Sequence, residues 1–125
     1  MTELIYKELS YQLTGFAFEI DNIIGFGQNE KSYADALEVL LRRNNLKYQR
    51  EFYFPIKIEE QVIKKHFFDF LIEDKIIVEL KANDANFKQV CAQVFQYLKS
   101  SGKKLGLVYR FSKNGVRTKR IPNYY

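Results

Sequence analysis

Two apolar runs, Phe67-Phe68-Asp69-Phe70-Leu71-Ile72 and Ile76-Ile77-Val78-Glu79-Leu80-Lys81, flank Glu73-Asp74-Lys75. A strand with one face in water alternates apolar and polar residues. These runs do not alternate, so they read as strands buried on both faces. Such strands need helices over both sides of their sheet. Leu4, Ile5, Leu9, Leu13, Phe16, Ala17 and Ile20 recur at helical spacing and predict a helix over 3–22. Gly25 and Gly27 interrupt it, and Asn29 is placed to cap a second helix over 30–44, which Asn44-Asn45 ends.

Strands are predicted over 48–56, 62–72 and 75–82, then a helix over 87–100 stopped by Gly102. A buried strand over 105–111 and a turn at Lys113-Asn114-Gly115 follow, with an edge strand over 116–121 closing the chain. A helix between the third and fourth strands makes a βαβ crossover, so the expected class is α/β, one domain over 1–125 with a mixed central sheet flanked by helices.

The charges inside those buried runs need an explanation. Glu79 and Lys81 are two residues apart and share a face. A three-residue turn at 73–75 sets Asp69 across from Glu79, with Cβ atoms about 4.5–5.5 Å apart, whereas a two-residue turn puts them on opposite faces. Two carboxylates that close repel unless a proton or a cation lies between them. A divalent metal with oxygen ligands resolves the conflict, and Lys81 then stands ready to neutralise phosphate charge. The competing arrangement is a Glu79–Lys81 salt bridge with Asp69 in solvent on an edge strand. Gln93 and Tyr97 share a helix face with Gln89 and Gln96 nearby, a pattern that by itself favours the wet side of an amphipathic helix. Glu30, in a first helical turn, is an acid that the helix dipole alone favours. His66 reads as an ordinary strand residue and Cys91 as a small core residue.

The net charge is +5, and its distribution is uneven: residues 85–125 carry nine Lys and Arg and no acid, so the first 84 residues carry −4. A basic final third suggests a polyanionic partner, with Lys103, Lys104, Arg117, Lys119 and Arg120 as candidate nucleic-acid contacts. No apolar run approaches the roughly 20 residues of a membrane span. With a single Cys and no signal-peptide pattern at the N-terminus, a cytoplasmic protein is expected.

Asp69 followed by Glu79-Leu80-Lys81 resembles the D-(x)n-E-x-K signature of the PD-(D/E)XK nuclease superfamily, whose common core runs α-β-β-β-α-β. Gly27-Gln28-Asn29-Glu30-Lys31-Ser32-Tyr33 resembles the motif of the bacterial GxxExxY proteins, and Gln93-Val94-Phe95-Gln96-Tyr97 resembles the Q-x-x-x-Y motif of RecB-like members. Phe68 stands where the superfamily's name has Pro, and Phe67 where the GxxExxY pattern often has Arg. The resemblance implies a nuclease acting on nucleic acid, DNA foremost, with Mg²⁺ or Mn²⁺. It implies Asp69, Glu79, Glu30 and the Leu80 main-chain carbonyl as metal ligands, Lys81 as catalytic lysine, and Gln93 and Tyr97 as active-site helix residues. The alternative is a silent nucleic-acid-binding or regulatory module on the same fold. A homodimer is expected if both strands of a duplex are cut together.

Overall fold

The structure is a computed structural model and describes residues 4–83 and 86–124. Helix α1 spans Lys7–Ile24 and ends at Gly25, whose φ of 71° suits glycine. Helix α2 spans Glu30–Arg43, and the side chain of Asn29 caps it by accepting the Ser32 N–H. Strands β1 (Tyr48–Tyr53), β2 (Ile56–Ile58), β3 (Gln61–Lys64), β4 (Phe67–Ile72) and β5 (Ile76–Ala82) follow. Helix α3 (Phe87–Ser101) then crosses over to β6 (Leu105–Ser112), and β7 (Gly115–Pro122) returns beside it.

Five strands form one sheet in the order β1-β4-β5-β6-β7. β5 and β6 run parallel, as the α3 crossover requires, and the other neighbours are antiparallel. Helices α1 and α2 cover one face, over Phe70, Ile72, Ile76, Val78, Leu80 and, on β6, Leu105, Leu107, Tyr109 and Phe111. Helix α3 covers the other, over Phe68, Leu71, Ile77, Val108 and Ile121. The two apolar runs are therefore buried on both sides, and the mixed α/β sheet is the expected one. Gly106 lets α3 lie close on β6, because a Cβ there would meet Val94 Cγ1 at 2.3 Å. Among the described residues no helix is long and apolar enough to cross a membrane.

Four expectations change. The strand expected over 62–72 is two strands, broken at Lys65-His66, and the one expected over 48–56 breaks at Phe54-Pro55. The pieces β2 and β3 leave the main sheet and pair with each other as a separate two-stranded ribbon. The proline removes a donor there, and Val62 and Ile63 are exposed, so their apolar character does not mark burial. The last strand is a full eight-residue partner of β6, from Leu105↔Pro122 to Ser112↔Gly115. The first helix begins at Lys7, later than its apolar pattern suggests.

Candidate active site

The β4–β5 ladder runs Ile72↔Ile76, Leu71↔Ile77 and Phe70↔Val78, then stops. The turn is thus the three-residue one, and the next position in register sets Asp69 opposite Glu79. Side chains, not main chains, close that position. The Asp69 N–H donates to Glu79 Oε1 at 2.6 Å, and the Leu80 N–H donates to Asp69 Oδ2 at 2.7 Å. Pairing lapses on the other side of β4 as well: Arg50↔Phe70 is followed by Phe52↔Phe68, and the skipped Glu51 has φ 54°. β4 rolls over at this point, so Phe68 packs on the α3 side with Leu71. Here the strands part, and the gap is filled by two carboxylates.

Their electrostatics are uncomfortable. Glu79 is 7% exposed, and burial followed by the neighbouring Asp69 pushes its pKa from the ordinary 4.5 up to about 8. Burial also raises Asp69, against the lowering effect of the Leu80 N–H and Lys81. The nearby cation is Lys81, whose Nζ lies 3.9 Å from Glu79 Oε2 and 3.7 Å from Glu30 Oε1. That one ammonium is shared between the buried Glu79 and the exposed Glu30, so the buried carboxylate pair has little positive charge beside it.

Glu30 reaches this point from α2. Tyr33, stacked on Phe111 at 4.0 Å, donates its hydroxyl to the Gly25 carbonyl at 2.8 Å and pins the loop that starts the helix. Glu30 then accepts the Ala82 N–H at 3.3 Å, one residue beyond Lys81. Lys81 stands between Glu30 and Glu79, and the charge of Glu30 also raises both buried acids. Among the described residues no three His, Cys, Asp or Glu side chains stand close enough to form a complete metal cage. The donor set nonetheless suits a hard cation: Asp69 and Glu79 each commit one oxygen to a backbone N–H and keep another for a ligand. Leu80 contributes its N–H to Asp69 and its side chain, 1% exposed, to the core.

Gln93 and Tyr97 line a cleft of about 530 Å³ between the β2–β3 ribbon and α3, with Phe54, His66 and Phe68. Tyr97 is buried, its ring edge-on to Phe52 and Phe54 and tilted against Phe68. Its ring forms part of the cleft wall. His66 Nε2 is buried in the same wall without a hydrogen-bond partner among the described residues, and burial lowers the pKa of that imidazole.

The five basic candidates do not share one surface. Lys103 bonds Asp74 at the opposite end of the sheet, with Lys104 beside it in sequence. Arg120 is tied to Ser10 and to the Ile5 carbonyl on the α1 side. Arg117 and Lys119 alternate with Ile121 onto the α3 side. Arg110 is not among those candidates, yet Lys81↔Arg110 and Arg110↔Arg117 are register partners. The available signal was the same as for Lys81: a charge inside an otherwise buried strand.

A sheet of this topology, with an acid on each of two parting strands and a lysine two residues on, defines a nuclease class. The sequence pattern of the PD-(D/E)XK nuclease superfamily matches residues 7–121, and the chain belongs to that superfamily. No curated protein matches it. The solved structure of SSO0001 superposes with a TM-score of 0.55 at 21% identity over 94% of this chain, which spans 57% of that protein's length. The structure of an alkaline exonuclease, LHK-Exo from Laribacter hongkongensis, gives a TM-score of 0.46 at 10% identity, covering 98% of this chain and 72% of that one.

Proposed function

We propose that this chain is a divalent-metal-dependent nuclease that hydrolyses phosphodiester bonds, with DNA the foremost substrate. The observation that carries the reading is the pair of buried carboxylates, Asp69 and Glu79, held together at parted strands with too little positive charge. Asp69 and Glu79 hold the cation, Mg²⁺ or Mn²⁺, with Glu30 and the Leu80 carbonyl as the further ligands. A bound divalent cation supplies Lewis acidity, acidifying water and offsetting charge on the scissile phosphate. Lys81 donates to a phosphate oxygen and steadies the attacking water, and Glu30 keeps its ammonium at the mouth of the site. Gln93 orients substrate in the cleft that the Tyr97 ring supports. The Glu30 and Tyr33 roles in placing this site agree with the GxxExxY resemblance. The protein acts in the cytoplasm, as a homodimer where a duplex is cut on both strands.

One observation favours a second reading. Each carboxylate already accepts a short backbone hydrogen bond, so the pair also locks β4 to β5. A silent module that binds nucleic acid would keep them for that alone. Incubation with single- and double-stranded DNA and RNA, in Mg²⁺ and in Mn²⁺, separates the two. Cleavage by the wild type and none by Glu79→Ala supports the nuclease. Binding without cleavage under every condition establishes the module.

A further inference from the structure

Lys81, Arg110 and Arg117 occupy successive register positions on β5, β6 and β7, on the α3 side of the sheet. Neighbouring strands lie about 4.7–4.9 Å apart, so three cations stand in a line about 10 Å long. Lys81 has Glu79 and Glu30 beside it; neither arginine forms an ion pair among the described residues. Both guanidinium groups lie over the Phe87 ring, Arg117 at 4.5 Å and Arg110 at 5.6 Å from its centroid. Stacking fixes a guanidinium through its face and leaves its N–H edge available. Arg110 Nε is buried with no hydrogen-bond partner among the described residues. Buried donors are normally satisfied, and like charges in a row repel, so the arrangement suits an anion.

We propose that Arg110 and Arg117, stacked on Phe87, form a second phosphate subsite that grips the nucleic-acid backbone next to the phosphate at Lys81. The forked N–H edge of arginine matches phosphate oxygens. A line of cations across three strands suits a chain of phosphates better than a single ion. The proposal rests on the nuclease reading for its ligand, and it replaces a diffuse basic third with one defined track. Lys103, bonded to Asp74, and Arg120, bonded to Ser10, lie off that track.

The test measures binding of a short fluorescein-labelled DNA, single-stranded and duplex, against KCl concentration in chelator, where nothing is cut. Each phosphate contact contributes about 0.7–0.9 to the slope of log affinity against log salt. Arg110→Gln with Arg117→Gln should lower that slope by about 1.4–1.8, and the two lysine replacements should restore it. Lys103→Gln and Arg120→Gln should leave it unchanged. Arg117 is exposed, so Arg117→Gln alone, expected to lose about 0.7–0.9, covers the case in which Arg110→Gln does not fold. An unchanged slope in folded arginine variants overturns the subsite while leaving the nuclease reading intact. No binding by the wild type overturns both.

Discussion

Glu79→Gln removes a charge and keeps the volume and an amide oxygen for the Asp69 N–H, so it isolates the electrostatics of the site. In the folded protein the Glu79 pKa is raised from 4.5 to about 8. The folded state therefore holds a proton that the unfolded state has released, and stability must fall as pH rises from about 4.5 to about 8. Each unit is worth about 1.4 kcal/mol, so the wild type loses at most about 5 kcal/mol across that window, a large part of a typical domain's stability. Asp69, also raised by burial, adds in the same direction. His66 acts oppositely: its lowered pKa makes stability grow with pH up to the ordinary 6.5 and then level off. That contribution is common to both proteins and cancels in their difference. Urea unfolding in chelator at pH 5, 7 and 9 should show the wild type weakening steeply while Glu79→Gln stays much flatter. Saturating Mg²⁺ at pH 9 should recover about 2.7 kcal/mol at a hundredfold excess over its Kd. A wild type whose metal-free stability is level or rising over this range, or a Glu79→Gln protein with the same fall, refutes the reasoning.

Lys81→Ala should leave Mg²⁺ affinity by calorimetry nearly intact, since both buried carboxylates remain, while single-turnover cleavage slows about 10²–10³-fold. Gly106→Ala places a methyl 2.3 Å from Val94 Cγ1 and should cost about 1–3 kcal/mol by thermal or urea unfolding, with Val94→Ala restoring much of it. If the single variant is fully stable, α3 does not lie as close to β6 as described.

How much of this was legible in the sequence depended on how local the cause was. Asn29 and Gly102 set helix ends through their own side chain or backbone, and both ends fall where expected. The three-residue turn followed from demanding that Asp69 and Glu79 meet. The ribbon was hidden because Val62 and Ile63 are apolar yet exposed, which let one long strand be read through Lys65-His66. The roll of β4 at Asp69 depends on Glu51 in the neighbouring strand, a partner invisible to a local pattern. Tyr97 and Gln93 share a helix face, but which way that face looks is fixed only when α3 docks. The basic third concealed Arg110 for the same reason. A count of charges does not say that β6 and β7 pair so as to align Arg110 with both Lys81 and Arg117.

The same two carboxylates that strain the site also hold its strands, and the balance between these effects is measurable with Glu79→Ala. Truncation removes the acceptor of the buried Asp69 N–H, a loss of about 1–3 kcal/mol that does not depend on pH. It also relieves the charge that burial and Asp69 oppose, and that gain depends on pH entirely. At pH 5 the folded wild type keeps Glu79 protonated and its penalty is below about 1 kcal/mol, so Glu79→Ala should be the less stable protein. By pH 9 the penalty approaches about 5 kcal/mol and exceeds the lost hydrogen bond, so the order should invert and the variant should be the more stable one in chelator. Adding Mg²⁺ at pH 9 should reverse the order again, because the cation offsets the repulsion only where both acids are present. Unfolding curves that never cross between pH 5 and 9, with the variant weaker throughout, would make the lock the dominant role of Glu79. The carboxylate pair would then belong to the architecture of a binding module and not to a metal centre.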